Sequence, residues 1–448
     1  MTNKTTRRDF LKAATAVAAF NLITTHVRGA SRQFAPGEKL NIAGIGIGGQ
    51  GRSNLGNLSG ENIVALCDVD LNYAASTISK YPNAKVYQDY REMLDKQKDI
   101  DAVMIATPDH THAVISMAAM KAGKHVFCQK PLCHDIREAR MLAKFAKESG
   151  LCTQMGIQGH SQEGFRLICE WIWDGAIGEV REVDAWCSLS YYPWGHADWS
   201  SKFGGVSRPA DKPAIPEKLN WDLWLGPAPE RSYHPAYHPK VWRCWRDFGS
   251  GMIGDRGAHT MDSVVSALKL GPPASIEATS CALNGETHPL SAIVTYQFAA
   301  RENLPPVKLT WYEGARPPRP EELEAGREMP KEGGIVFKGS KGKIMAGVYG
   351  ESPRLIPESR MQEYKRPPKT IPRVNGGHEN DWIQAIKSGK QAGANFEYAG
   401  PLTELTILGR IAIQADARIE WDAANMKITN IPDANKFISK EYRQGWSL

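Results

Sequence analysis

The sequence predicts an α/β protein, with a doubly wound parallel sheet followed by an α+β domain on a largely antiparallel open sheet. Three observations carry this. An apolar run at Leu40–Gly46 passes directly into Gly46-x-Gly48-x-x-Gly51. Strand-length apolar runs then alternate with helical patterns over about 115 residues, as in parallel sheets with crossover helices. Later strands follow one another with no helix between them, which only antiparallel neighbours allow. The 448 residues are about three times the usual domain size of roughly 150. We divide them into a leader at 1–30, a dinucleotide-binding domain at 38–157, and a substrate-binding and oligomerisation domain at 158–448.

The first strand, Leu40–Gly46, ends on glycines for physical reasons. Gly46 permits a tight turn, Gly48 lets backbone approach a pyrophosphate, and Gly51 allows helix and strand to pack closely. A helix starting near Arg52 would present unpaired N–H groups and a positive dipole end to that pyrophosphate. The second strand, Ile63–Cys67, ends on Asp68, twenty residues after Gly48. A carboxylate there accepts hydrogen bonds from ribose hydroxyls and repels a 2′-phosphate, which favours NAD over NADP. Asp101–Ala106 is a third strand, followed by Thr107-Pro108-Asp109-His110-Thr111-His112 and a helix from Ala113 to Ala122, closed by Gly123. His125–Cys128 is a strand leading to Gln129-Lys130-Pro131. Asp135–Ser149 is an amphipathic helix, and Cys152–Gly156 completes the parallel set.

The texture then changes. Tryptophans cluster between Trp171 and Trp245, and Trp221–Pro239 reads as an extended loop crossing a surface. Strands are expected at Val180–Leu189, Ser275–Leu283, Ala292–Phe298 and Val307–Trp311. Residues 317–372, rich in Pro, Gly and charge, read as loops and short strands. Helices follow at Asn380–Ser388 and Leu402–Asp416. Gly249 to Asp262 is the segment richest in chemistry. If it opens a helix, Asp255 and His259 lie four residues apart on one face.

Composition excludes several classes. The formal charge of +6 includes +4 from residues 1–30, where Lys4, Arg7, Arg8, Lys12 and Arg28 oppose only Asp9. No basic tract remains elsewhere, so the chain is not a general nucleic-acid binder. The eight cysteines include no C-x-x-C pair, and a chain of this size does not depend on disulfides. His234 and His238 are separated by prolines and carry no following Glu, a poor zinc pattern. No metal is expected.

Thr6-Arg7-Arg8-Asp9-Phe10-Leu11-Lys12, followed by the mild apolar stretch Ala13–Ile23, resembles a twin-arginine export signal. The stretch is too short and too rich in Ala and Thr to span a bilayer stably. The resemblance implies export of the folded protein through the twin-arginine machinery to the periplasm, with cleavage near Gly29 or Ala30.

The ordered set Gly46-x-Gly48-x-x-Gly51, Asp68, Ala106–His112 and Ala122-Gly123-Lys124-His125-Val126 leading to Lys130-Pro131 resembles the Gfo/Idh/MocA oxidoreductases. These matches span the first domain. The resemblance implies NAD, contacted by Gly46, Gly48, Gly49, Gln50, Gly51, Arg52, Asp68, Thr107, Pro108, His110, His112, Gln129, Lys130 and Gln158, and export to a compartment poor in free NAD implies that it is held tightly. The resemblance further implies catalysis by Lys130, Asp255 and His259. His259 would be the general acid/base, Asp255 would orient it or bind substrate hydroxyls, and Lys130 would hold or deprotonate the reacting hydroxyl. Substrate contacts are expected from Tyr192, Trp242, Arg243, Asp255 and His259. The family usually has Glu where Gln129 stands, and losing that carboxylate favours a lower Lys130 pKa. The implied reaction is hydride transfer from a secondary hydroxyl of a sugar or glycoside in a homodimer or homotetramer. The alternatives are a glycosidase that oxidises C3 transiently, and a sugar-binding protein without turnover.

Overall fold

The computed structural model describes residues 34–35, 37–191 and 207–448. The arginine-pair leader and Tyr192 lie outside these residues.

The first sheet contains β1 (Asn41–Ile45), β2 (Asn62–Cys67), β3 (Lys85–Tyr87), β4 (Ala102–Ile105), β5 (His125–Gln129) and β6 (Thr153–Gly156). Their order is β3-β2-β1-β4-β5-β6, and every neighbouring pair is parallel. All four residues of β4 are buried, which is why it reads as an unbroken apolar run covered on both faces. Strand order reverses between β1 and β4, the position where such sheets open a crevice at their carboxyl ends. Register pairs Ile45 with Cys67 on one side and Ile105 on the other. Gly46, Asp68 and Ala106 therefore leave the sheet together.

The helices follow local chemistry. Helix Ile136–Ser149 begins with a capping box between Asp135 and Glu138 and ends at Gly150 in the left-handed region. Its buried stripe, Ile136, Ala139, Leu142 and Ala146, has the helical period. Helix Asp109–Lys121 starts four residues before the expected Ala113. It is buried nearly all round, so no apolar stripe marks its start, and Pro108 precedes its first turn.

The second sheet has nine strands: β7 (Val180–Cys187), β8 (Ser275–Cys281), β9 (Ser291–Phe298), β10 (Val307–Glu313), β11 (Gly333–Gly339), β12 (Gly342–Gly347), β13 (Arg354–Ile356), β14 (Ile419–Asp422) and β15 (Lys427–Ile428). Their order is β13-β12-β11-β7-β10-β9-β8-β14-β15. Only the β7–β10 pair is parallel, so the sheet is largely antiparallel. Ala292, Val294, Tyr296 and Phe298 alternate inward along β9. They meet helix Phe396–Ala415, where the Tyr296 hydroxyl donates to the Leu405 carbonyl at 3.1 Å. Burying one such aromatic contributes about 1.5–3 kcal/mol.

Three expectations need correction. Trp221–Pro239 is not a loop laid over a surface. Trp221 and Trp224 stack at 4.5 Å and, with Tyr237, are nearly fully buried. Arg231 is also buried here, paired with Asp247 at 2.5 Å and Glu286 at 3.1 Å. The prolines that suggest an exposed loop instead interrupt a packed aromatic layer. Within 317–372, β11 is an internal strand flanked by β7 and β12. Five of its residues are buried in succession, so it lacks alternation. Helix Phe396–Ala415 contains Pro401, which lies just before the expected start at Leu402. The true start is capped by Asn395, whose side chain accepts from the Tyr398 N–H.

Late segments return to the first sheet. Trp382 of helix His378–Ser388 packs on Phe127 at 5.7 Å. A Cβ at Gly400 would lie 3.0 Å from Ala143, so helices Phe396–Ala415 and Ile136–Ser149 approach closely there. All eight cysteines are free thiols, seven of them buried. Among the described residues no helix is long and apolar enough to cross a membrane.

Candidate active site

Two neighbouring cavities meet at the carboxyl end of the first sheet. One is lined by Gly46, Gly48, Gly49, Asp68, Tyr73 and Pro108. The other, of about 450 Å³, is lined by Lys130, Gln158, Tyr191, Asp255, His259 and Tyr349. Gln50, Ala106, Thr107, Trp242 and Arg243 belong to both.

The first cavity has the features a dinucleotide needs. Gly46 has φ +75, and a Cβ there would lie 2.7 Å from the Ala106 carbonyl carbon. A Cβ at Gly51 would lie 1.9 Å from the Gly46 oxygen. The bare turn therefore sits directly on the sheet, before the free N–H groups of helix Gly49–Asn57. At Gly48 the structure adds a second reason for glycine, because a Cβ would strike the Tyr73 ring at 2.2 Å. Asp68 is fixed by the Ile47 N–H at 2.9 Å and the Asp70 N–H at 3.0 Å. Burial pushes its carboxyl up to about 6, opposed by those two N–H groups. Tyr90, His238 and Trp446 complete the wall. The turn, helix end and carboxylate fit NAD.

Three predicted cofactor contacts are placed elsewhere. Gly51 lines neither cavity and serves the packing just described. Arg52 turns outward and donates to the Ser76 hydroxyl at 3.1 Å. His110 lies behind the cleft among Trp224 and Phe248, with its ring nitrogens 3.0 Å and 3.3 Å from the Trp224 and Phe248 carbonyls. Burial pushes it down to about 3. His112 does line the second cavity. Its ring nitrogens each lie 2.8 Å from a carbonyl, of Pro131 and Thr107. Burial opposes its charge, but Cys128, Asp109 and the Pro131 carbonyl outweigh that and raise it to about 9.

The catalytic candidates come together, though not in the expected pairing. Gly251–Asp255 and Gly257–Ala267 are two helices joined at Arg256, not one continuous helix. Asp255 and His259 still face the same cavity, but Asp255 does not orient His259. One Asp255 oxygen accepts from Lys130 Nζ and the other from the Tyr191 hydroxyl. Burial and the Arg243 guanidinium, opposed by Asp109 and assisted by Arg256, push Lys130 down to about 7. The direction agrees with expectation, but its cause is burial beside arginines. His259 packs edge-on against Tyr349 at 4.7 Å. Burial, then Lys130 and Arg256, hold it well below the ordinary imidazole range, so it is neutral. Its Nδ1 is buried with no hydrogen-bond partner.

Gln129 donates to Asn54 Oδ1 at 3.1 Å, and Asn54 donates to Glu379 at 2.6 Å. A buried carboxylate thus lies one amide away from the position where the family usually has one. Trp242, Arg243 and Gln158, the last of these expected as a cofactor contact, line the second cavity, with Arg243 stacked over Trp242 at 4.2 Å. Sequence reasoning missed Asp109, Arg256 and Tyr349. Asp109 accepts from the Ser250 N–H at 2.9 Å, and Tyr349 accepts from Arg256 at 2.8 Å. Asp109 and Arg256 sit within motifs already singled out. Tyr349, just beyond β12, has no local signal. Among the described residues no cluster of His, Cys, Asp or Glu could hold a metal.

Comparison with known proteins agrees with this architecture. Residues 40–157 match the model for the Gfo/Idh/MocA oxidoreductase family, NAD-binding Rossmann fold. Residues 192–299 match that family's C-terminal alpha/beta domain. An inositol 2-dehydrogenase of Salmonella typhimurium is 32% identical over 149 residues, 32% of this chain and 44% of that protein. A levoglucosan dehydrogenase of Pseudarthrobacter phenanthrenivorans is 29% identical over 198 residues, 44% of this chain and 40% of that protein. The chain thus spans less than half the length of these relatives. Among solved structures, the WlbA dehydrogenase from Bordetella pertussis in complex with NADH and UDP-GlcNAcA has a TM-score of 0.60 at 14% identity, covering 86% of this chain and 98% of that one. A levoglucosan dehydrogenase in complex with NADH and L-sorbose has a TM-score of 0.58 at 16% identity, covering 86% and 99%. These two likenesses are of fold.

Proposed function

This chain belongs to the Gfo/Idh/MocA oxidoreductase family, and on that premise we propose that it oxidises a secondary hydroxyl of a sugar or glycoside using tightly bound NAD. The observation that carries this reading is the grouping of Lys130, Asp255, Tyr191 and His259 in one cavity, beside the glycine turn and Asp68. The relatives named inositol 2-dehydrogenase and levoglucosan dehydrogenase support the substrate class.

Bound along the glycine turn, NAD supplies the hydride acceptor. The chain's own residues manage the proton. An alcohol that loses hydride must give its hydroxyl proton to a base within reach. Lys130, lowered to about 7 by burial, titrates close to neutral pH and takes that role. Asp255 fixes the amine and Tyr191 fixes Asp255. Neutral His259 provides a second, separate proton-transfer group on the same cavity.

That second group also favours an alternative reading, a glycosidase working by transient oxidation at C3. The ketone acidifies the C2 hydrogen, the aglycone leaves by elimination, water adds, and the ketone is reduced again with no net redox change. Ordinary paired-carboxylate hydrolysis is disfavoured, because Asp109 and Asp255 are engaged by the Ser250 N–H and Lys130. The arginine-pair leader adds periplasmic export to the proposal, and the family adds a homodimer or homotetramer.

The test is incubation of the purified protein, without added cofactor, with a glycoside panel in heavy water, followed by NMR. A keto-sugar equal in amount to the bound cofactor reduced supports the dehydrogenase. Free sugar released over many turnovers with deuterium at C2 supports the glycosidase. No product from glycosides or free sugars refutes both.

A further inference from the structure

The second cavity carries more positive charge than proton transfer requires. Besides Lys130, the proton-transfer group, His112, Arg243 and Arg256 line it, against Asp109 and Asp255. Both carboxylates are engaged, Asp255 by Lys130 and Tyr191 and Asp109 by the Ser250 N–H. Arg256 differs from the other cations. It sits at the junction of the two short helices, directly between Asp255 and the helix carrying His259. Its Nη1 donates to the Tyr349 hydroxyl at 2.8 Å, and among the described residues no carboxylate pairs with it.

The cofactor's pyrophosphate does not account for this guanidinium. Gly46, Gly48 and Gly49 line the other cavity, and Arg256 is not part of that lining. Arg243 lines both cavities and can serve both. A guanidinium in a partly enclosed cavity that the Arg243 guanidinium also lines is costly unless an anion joins it. Its planar fork suits the two oxygens of a carboxylate or phosphate. Tyr349 holds one edge of that fork, and the cavity is the free approach to the rest.

Building on the oxidoreductase reading, we propose that the substrate is an anionic sugar whose carboxylate or phosphate is received by Arg256, while a hydroxyl of the same sugar lies on Lys130. The anion anchors the ring, so recognition is by charge and the reacting hydroxyl is set by its distance from that charge.

The test compares methyl glycosides of hexoses, the matching hexuronates and the matching 6-phosphates, in the gluco, galacto and manno series, on the protein with NAD bound and a soluble two-electron acceptor added to re-oxidise the reduced cofactor. In the configuration that turns over, one anionic member is expected to exceed its neutral parent at least about tenfold in kcat/KM, mainly through KM. The advantage shrinks as salt rises from about 50 to about 500 mM. Whether the uronate or the phosphate leads identifies the anion. Arg256→Gln brings the anionic-to-neutral ratio towards one, and Arg256→Lys restores part of it. Titration calorimetry of the preferred anion shows the same order of affinities without turnover. A neutral sugar used as well as its anionic counterparts overturns this inference and leaves the oxidoreductase reading standing. A ratio unchanged in Arg256→Gln overturns the assignment to Arg256. No turnover of any member, with NAD shown to be bound, overturns the oxidoreductase reading and this inference with it.

Discussion

The two cavities at the end of the first sheet are built in opposite ways. The cofactor side rests on a backbone requirement concentrated in a few consecutive residues, Gly46 to Gly51, with one carboxylate at the next strand end. The substrate side gathers single side chains from Lys130, Gln158, Tyr191, Asp255, His259 and Tyr349, spread over nearly half of the chain. The first arrangement tolerates almost no substitution at its glycines. The second can be retuned one side chain at a time, so the cofactor side identifies the family and, on the proposed reading, the substrate side decides what is oxidised.

The sharpest way to separate the two sides is Lys130→Met. Removing a positioned base lowers kcat by about 10²–10⁴-fold, and retention of NAD, read from absorbance and mass of the intact complex, keeps the defect on the substrate side. The pH profile of the native protein tests the same residue. With Lys130 at about 7, its neutral form is lost below that pH. The rate of oxidation should therefore fall about tenfold per unit on the acid side and level off above. A flat profile from pH 5 to 9 would remove Lys130 as the base.

Asp68→Ala should act on the cofactor side alone. Losing hydrogen bonds to a charged group costs about 1.5–3 kcal/mol, so NAD affinity falls roughly ten- to a hundredfold and discrimination against NADP weakens. Equal weakening for both cofactors would break the assignment of Asp68 to the ribose.

Gln129→Glu probes the seam between the two sides. It restores the carboxylate usual in the family, but Asn54 already donates to Glu379 and presents its oxygen to position 129. Two acceptors would then face each other, or Asn54 would turn and abandon Glu379. We expect a loss of about 1–3 kcal/mol, seen as a lower Tm, with the pH profile displaced upward. The smallest effect is expected from Tyr349→Phe, which removes one hydrogen bond to Arg256 and costs about 0.5–1.5 kcal/mol, read as a modest rise in KM.

The same contrast explains what the sequence disclosed. The parallel sheet, Asp68 and the Asp135 cap were legible because each is a local pattern with one physical cause. Strand β11 was not, because burial on both faces erased its alternation. The aromatic layer at Trp221–Tyr237 was misread because its prolines signal a loop whether the loop is exposed or packed. His110 and His112 look alike in sequence. Which one reaches the cavity depends on Trp224 and Phe248, more than a hundred residues away. The Lys130–Asp255–Tyr191 arrangement joins residues that no short spacing relates, whereas the wrongly expected pairing of Asp255 with His259 was the one that spacing suggested.

Trp446 forms part of the wall of the cofactor cavity, alongside Tyr90, and Glu379 reaches back to Asn54 in the first helix after the glycine turn. The turn itself emerges from the ribosome early. At roughly 5–20 residues per second, the interval between completing the first sheet and delivering Trp446 is on the order of tens of seconds. During that interval the nascent chain has its phosphate-binding turn but not the far wall of the cleft. That wall of the cleft is therefore built only once Trp446 has been made.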